Sequence, residues 1–240
     1  MTASVDTSVV CANVRDIKEL IHQRVQERGG DNVSIVAVTK TRSWDAIDAA
    51  HVCGCDAVGE NYAQELRDKV QGHELQIPVH FIGAIQTNKI RLVADVVDLW
   101  QSVDRESVIE ELVKRSPQPP RILIQVNTTG EESKHGCDLR DIESLRGACD
   151  AKGVVVEGFM TMGPTNEDRE ETRRAFALLR KLVDQHGLGV CSMGMSGDYL
   201  MAVDEGSTMV RIGRSTPTAR RQHADSMVAN CAECPIAGCL

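Results

Sequence analysis

The chain reads as one α/β domain, a single (β/α)8 TIM barrel with an extra N-terminal helix. Three observations predict it. Short apolar runs alternate with amphipathic segments eight times, the pattern of parallel strands joined by crossover helices. The 240 residues are the right length for one such barrel. No repeat, low-complexity block or linker divides them. An open doubly wound sheet is the rival, because alternation specifies a parallel sheet before it specifies closure.

The elements follow in order. Residues 9–28 space Val14, Ile17, Ile21 and Val25 at helical intervals and stop at Gly29 and Gly30. The apolar runs are 34–39, 57–59, 79–82, 97–102, 121–127, 154–160, 189–192 and 209–212. Helices are expected between them at 44–52, 63–71, 88–94, 105–115, 139–151, 168–186 and 198–205. The barrel is assigned to residues 1–220, and residues 221–240 to a flexible C-terminal tail.

Composition excludes several classes. A formal net charge of -8 argues against a protein built to grip nucleic acid, since phosphate backbones reward clustered Lys and Arg. Aromatic residues are only 3%, so the core must be aliphatic. No run approaches the roughly 18 to 20 apolar residues that span a bilayer, and the N-terminus lacks a basic-then-apolar leader. A soluble, cytoplasmic protein without a membrane partner is expected. Nine cysteines, an odd count spread through a large hydrophobic chain, resemble neither a small disulfide scaffold nor a secreted framework, so they are expected mostly as buried thiols. Cys53 and Cys55 are too closely spaced for a usual zinc knuckle. Cys231, Cys234, Cys239 and His223 in the tail fall short of two well-spaced ligand pairs, so no metal is expected.

In a barrel the strand ends share one rim, and here the residues closing the runs are polar or glycine. Lys40 follows the first run, Glu60, Asn61 and Tyr62 the second, Gly83 the third and Asp104 the fourth. Asn127 and Thr128 follow the fifth, then come Thr161, Ser192 and Arg211. An amine at a buried strand end would be desolvated, and a neutral amine attacks a carbonyl to form a Schiff base. Taken alone, Lys40 reads first as a chain re-entering water, since lysine is so commonly exposed. Lys134 is a second candidate amine, on a loop after the fifth run and therefore less desolvated.

Two segments near the end of the barrel suit an anion. Ser192, Gly194 and Ser196 run from strand toward helix, with Ser196 placed to cap it, and Gly213 leads into the amides of Arg214 and Ser215. Barrels frequently seat a phosphate on the last two such loops. Glycines serving only tight turns would read the same way. Arg211 beside a pyridine nitrogen would donate a hydrogen bond without surrendering its proton, leaving the ring a poor electron sink; an ion pair with a carboxylate is its alternative role.

Assembled, these segments resemble the pyridoxal phosphate homeostasis protein family, which shares the barrel of the alanine racemase N-terminal domain. Ala37-Val-Thr-Lys40 is similar to its cofactor-lysine strand, Gly59-Glu-Asn-Tyr-Ala-Gln-Glu65 to its G-E-N-Y-x-Q-E segment, and His80-Phe-Ile-Gly-Ala-Ile-Gln-Thr-Asn-Lys89 to its most recognisable signature. Gln125-Val-Asn127, Glu132-Ser-Lys-His-Gly136, Gly158-Phe-Met-Thr-Met162, Ser192-Met-Gly-Met-Ser196 and Gly206-Ser-Thr-Met-Val-Arg-Ile-Gly213 follow in the family's order. The resemblance implies pyridoxal 5'-phosphate (PLP) as cofactor, Lys40 as its Schiff-base partner and Asn61 beside the ring. It further implies that Ser192, Gly194, Ser196, Gly213 and the amides after it hold the phosphate, and that Arg211 meets the pyridine nitrogen. The chain departs from the pattern at Val79, where an aromatic residue is usual, and after Gly213, where Arg214-Ser-Thr-Pro-Thr218 stands for Thr-Ala-Ile-Phe-Gly. Arg214 and Ser215 could then add a guanidinium and a hydroxyl to the phosphate.

Two functional readings remain. One is a monomeric, non-catalytic PLP buffer or carrier serving vitamin B6 homeostasis, with PLP-dependent client enzymes and amino acids as partners. The other is a small amino-acid racemase. Racemisation needs proton-transfer groups on both faces of the substrate Cα. Tyr62 and Tyr199 are the only tyrosines, and Tyr62 already belongs to the G-E-N-Y segment, so the carrier is preferred.

Overall fold

The computed structural model describes residues 5–30, 32–131 and 133–213. Helix α1 (Thr7–Arg28) comes first. Its start is fixed by the Asp6 carboxylate, which accepts the Ser8 and Val9 amides at 3.0 and 3.3 Å, and its end by Gly29 at φ 67. Among the described residues eight strands then alternate with helices: β1 (Ser34–Val38), α2 (Trp44–Val52), β2 (Ala57–Glu60), α3 (Ala63–Val70), β3 (Val79–Phe81), α4 (Thr87–Ile90), β4 (Leu99–Val103), α5 (Glu106–Arg115), β5 (Arg121–Gln125), α6 (Ile142–Lys152), β6 (Val155–Met160), α7 (Arg169–Gln185), β7 (Val190–Met195), α8 (Tyr199–Asp204) and β8 (Met209–Ile212). Each strand pairs in parallel with the next. β8 returns to β1 with Arg211 opposite Val36, which closes the barrel and removes the open-sheet alternative.

Alternating side chains divide the core in two. The outward set, including Val58, Trp100 and Phe159, packs against helix residues such as Leu66, Ile109, Phe176 and Leu179, all at most 2% exposed. Each such burial is worth about 1.5–3 kcal/mol. The inward set holds a smaller cluster of Val36, Ala57, Leu99, Leu123, Met160 and Met209. Polar residues continue that inward face toward the C-terminal rim, because Arg211 lies two residues beyond Met209 and Gln101 two beyond Leu99.

Several expectations need correction. The helix expected over 88–94 is a single turn, because Leu92, Val93 and Val96 bond three residues back rather than four. The run 97–102 becomes a strand only at Leu99, since the Asp98 carboxylate accepts the Val79 amide at 2.7 Å. The run 121–127 loses its last two residues to the following loop, where Val126 bridges Cys137. The run 189–192 extends to Met195 through a register shift that puts Gly194 at φ 92. A Cβ at Gly194 would lie 2.5 Å from that of Ala202, so only glycine passes beneath α8.

Cys55, Cys137, Cys149 and Cys191 are buried thiols, as expected. Burial pushes Cys55 up to about 11 and Cys191 up to about 12. Cys11 and Cys53 are instead joined in a disulfide that ties α1 to the end of α2, where packing brings their Cα atoms to 4.6 Å. Among the described residues no helix is long and apolar enough to cross a membrane. Arg214, Ser215, His223, Cys231, Cys234, Cys239 and the boundary at residue 220 lie outside the described residues.

Candidate functional site

A cavity of about 590 Å³ opens at the C-terminal rim. Lys40, Asn61, Ser196, Arg211 and Gly213 line it, with Ile82, Met160 and Met162 supplying apolar wall. Five expected site residues thus meet in one place, though they come from four different strand ends. Lys40, Arg42 and Arg211 bring three cationic groups to the lining against one carboxylate, Glu167, so the cavity favours an anion.

Lys40 stands one residue beyond Thr39, outside β1, and is exposed. The desolvated amine at a buried strand end is therefore not what the fold provides. Among the described residues, no hydrogen bond or ion pair holds its Nζ. The neighbouring Thr41 has φ 61, and Glu167 across the lining has φ 55. A positive φ is rare for a residue with a Cβ and costs about 1–3 kcal/mol, so both loops are held in strained conformations at the cavity. Lys134 is differently placed. Its Nζ donates to the Gly163 carbonyl and lies 3.4 Å from Glu131.

Arg211 is 4% exposed and makes no ion pair with a carboxylate among the described residues. Its Nη1 donates to Ser192 Oγ at 2.6 Å and its Nη2 to the Thr161 carbonyl at 2.8 Å. Burial lowers its pKa to about 10, partly offset by Asp198, so it remains cationic at neutral pH. Beneath it a single direction of donation runs through the barrel. Ser192 Oγ donates to Gln101 Oε1 at 2.7 Å, and Gln101 Nε2 donates to His80 Nδ1 at 2.9 Å. Burial drives the His80 pKa down to about 4, with Arg121 adding to the effect, so the ring is neutral and its Nδ1 accepts.

Ser192 is fully buried inside β7 and supports Arg211 from below, outside the cavity lining. Gly194 is likewise tucked under α8. Ser196 does not cap α8, whose N-cap is Asp198; its Oγ accepts the Gly213 amide at 3.1 Å and pins the two rim loops together. Asp198 in turn accepts the Met195 amide at 2.5 Å, and burial raises its pKa. Asn61 Oδ1 is buried without a hydrogen-bond partner among the described residues.

Sequence reading missed the group behind Lys40. Glu60 faces outward from β2 and meets Lys69 Nζ at 2.5 Å and Thr39 Oγ1 at 2.7 Å. Two signals were present: strand alternation turns Glu60 away from the barrel, and Lys69 lies four residues after Glu65 on one helix face.

The family model for the alanine racemase N-terminal domain matches residues 5–216. The pyridoxal phosphate homeostasis protein of Pseudomonas aeruginosa is 36% identical over 222 residues, covering 89% of this chain and 96% of the relative. Among solved structures, a protein described as unknown from Bifidobacterium adolescentis superposes with a TM-score of 0.79 at 31% identity, over 88% of this chain and 96% of that one. PipY of Synechococcus elongatus PCC7942, with PLP bound, superposes with a TM-score of 0.68 at 28% identity, over 81% and 98% of the two chains.

Proposed function

Since the chain belongs to the pyridoxal phosphate homeostasis proteins, built on the alanine racemase N-terminal barrel, we propose that it binds PLP through a Schiff base on Lys40 and serves intracellular vitamin B6 homeostasis as a buffer or carrier. The observation that carries this reading is the contrast between the two candidate amines. Lys40 has no partner among the described residues and lines the cavity that Arg211 also lines, whereas the Lys134 amine is tied to Gly163 and Glu131.

The residues fit the cofactor. Asn61 Oδ1, unpartnered among the described residues, would offer an acceptor to the ring, and Met160, Met162 and Ile82 would offer apolar faces. Ser196 and Gly213, assigned to the phosphate, line the cavity together, and Arg214 and Ser215, next in sequence, extend that assignment. Ser192 and Gly194 contribute from beneath, the first by holding Arg211 and the second by letting β7 pass under α8.

When bound, PLP supplies an aldehyde carbon that an amine can capture and later release. The chain's own groups decide how far chemistry proceeds from there. Arg211 offers only donors and is held on two sides, so placed at the pyridine nitrogen it would donate a hydrogen bond without protonating the ring. That restrains the electron withdrawal a racemase exploits. Neither Tyr62 nor Tyr199 lines the cavity, which leaves no tyrosine there as a second proton-transfer group. These features favour the carrier over the racemase, in a cytoplasmic monomer that passes PLP to client apoenzymes.

The test adds the PLP-loaded protein to an apoenzyme that requires PLP and, separately, incubates it with L-alanine in deuterated water. The carrier predicts reactivation of the apoenzyme and no deuterium at the alanine Cα. Rapid Cα exchange would establish the racemase instead.

A further inference from the structure

Lys69 is buried at 4% side-chain exposure on α3, behind the rim rather than in the cavity. Its Nζ meets Glu60 Oε1 at 2.5 Å, Glu65 Oε1 at 2.9 Å and the Thr39 carbonyl at 2.9 Å. Three bonds use every donor an ammonium has. Glu65 Oε1 also accepts the Thr41 amide at 2.5 Å, and the Thr39 hydroxyl donates to Glu60 Oε1 at 2.7 Å. The residue before Lys40 and the residue after it are thus fastened to one cluster, while Lys40 itself is left free.

The fastening explains how a β-branched residue keeps φ 61 directly after the reactive lysine. Such a conformation persists only where its surroundings over-determine it. Released from Glu65, Thr41 would relax toward an ordinary φ and swing the Lys40 side chain off the cavity. Stability alone is a poor reason for the cluster, because a buried ion pair often gains little over apolar packing of the same volume. Burial also raises the pKa of Glu60, whose Oε2 has no partner among the described residues, and one lysine serves two carboxyl groups.

We propose that Lys69, acting through Glu65 and the Thr39 carbonyl, is a positioning residue that holds the backbone on both sides of Lys40 and keeps its amine aimed at the aldehyde of PLP. The inference rests on the assignment of Lys40 above. In the step it serves, the Lys40 nitrogen bonds to the aldehyde carbon, loses its two protons, and the aldehyde oxygen departs as water. Lys69 neither takes nor gives a proton in that step, because an ammonium has no lone pair and its three donors are already committed. Its contribution is orientation, where a small displacement of the reacting atom costs one or more powers of ten in rate.

Lys69→Met leaves Glu60 buried without a cation and risks misfolding, so the informative variants are Glu60→Gln/Lys69→Met, which keeps the cluster neutral, and Glu65→Ala, which removes the Thr41 bond at a partly exposed side chain. Two readouts are taken on the full chain. The first is hydrogen exchange of the Thr41 amide without PLP. The second is the rate at which added PLP becomes borohydride-fixed on Lys40. Both variants are expected to exchange Thr41 about ten-fold faster and to form the linkage about ten-fold more slowly, with thermal unfolding showing a folded protein. Unchanged exchange and rate in a folded variant would reduce Lys69 to packing and overturn the proposal. A wild-type chain that forms no linkage on Lys40 would overturn the assignment of Lys40 and the proposal with it, a result visible before any variant is made.

Discussion

Acidification should destabilise the barrel through His80 in a way that can be measured against a single variant. The ring is 8% exposed and neutral, accepting from Gln101, and its pKa falls from 6.5 to about 4. The unfolded chain takes up a proton below about 6.5, whereas the folded chain resists until about 4. Stability is therefore fully present above 6.5 and is lost as pH falls toward 4. A shift of about 2.5 units corresponds to about 3 kcal/mol at most, of which about 2 kcal/mol is gone by roughly pH 4.5. Urea unfolding at pH 7 and pH 4.5 gives the loss for wild type and for His80→Asn, whose Oδ1 stands where Nδ1 accepts from Gln101. Carboxylates titrate in both proteins, so the difference between the two losses isolates the ring. Wild type is expected to lose about 2 kcal/mol more than the variant. Equal losses would show that His80 is not held neutral and that the polar column under Arg211 is misdrawn.

Other perturbations have equally definite outcomes. Lys40→Ala should change unfolding stability by less than about 0.5 kcal/mol, because the side chain is exposed and unpaired, while PLP retention through gel filtration is lost. Reducing the Cys11–Cys53 disulfide opens a closed loop with a sequence separation of 42 and should lower stability by up to about 4 kcal/mol on the chain-entropy account. Thermal melts with and without reductant should therefore differ for wild type and coincide for Cys11→Ser. Gly194→Ala should cost about 2 kcal/mol or more, since it adds a Cβ at φ 92 only 2.5 Å from Ala202 Cβ. Gly147→Ala, exposed in α6 with open space around it, should instead stabilise by about 0.5–1 kcal/mol, and urea unfolding separates the two.

What the sequence made legible was whatever depends on local pattern. The strand ending near Lys40, the α1 stripe of Val14, Ile21 and Val25, and the eightfold alternation are all short-range signals, and the barrel follows from them. That Lys40, Asn61, Ser196, Arg211 and Gly213 line one cavity was legible because a barrel gathers strand ends on one rim. Ser192 and Gly194 were harder, because the register shift that carries β7 to Met195 depends on how β7 meets β8. The Cys11–Cys53 pairing depends on α1 lying across the end of α2, which no spacing along the chain encodes. Lys40 is legible only through a premise the fold does not meet: it is exposed, so the reactivity proposed for it would have to come from position more than from burial.

The central claim is tested most directly by adding PLP to the purified chain, recording the visible absorption before and after borohydride reduction, and mapping the modified lysine by peptide sequencing. A reducible band with the label on Lys40 is the predicted result. No reducible band, or a label on Lys134 or scattered over surface lysines, would contradict it.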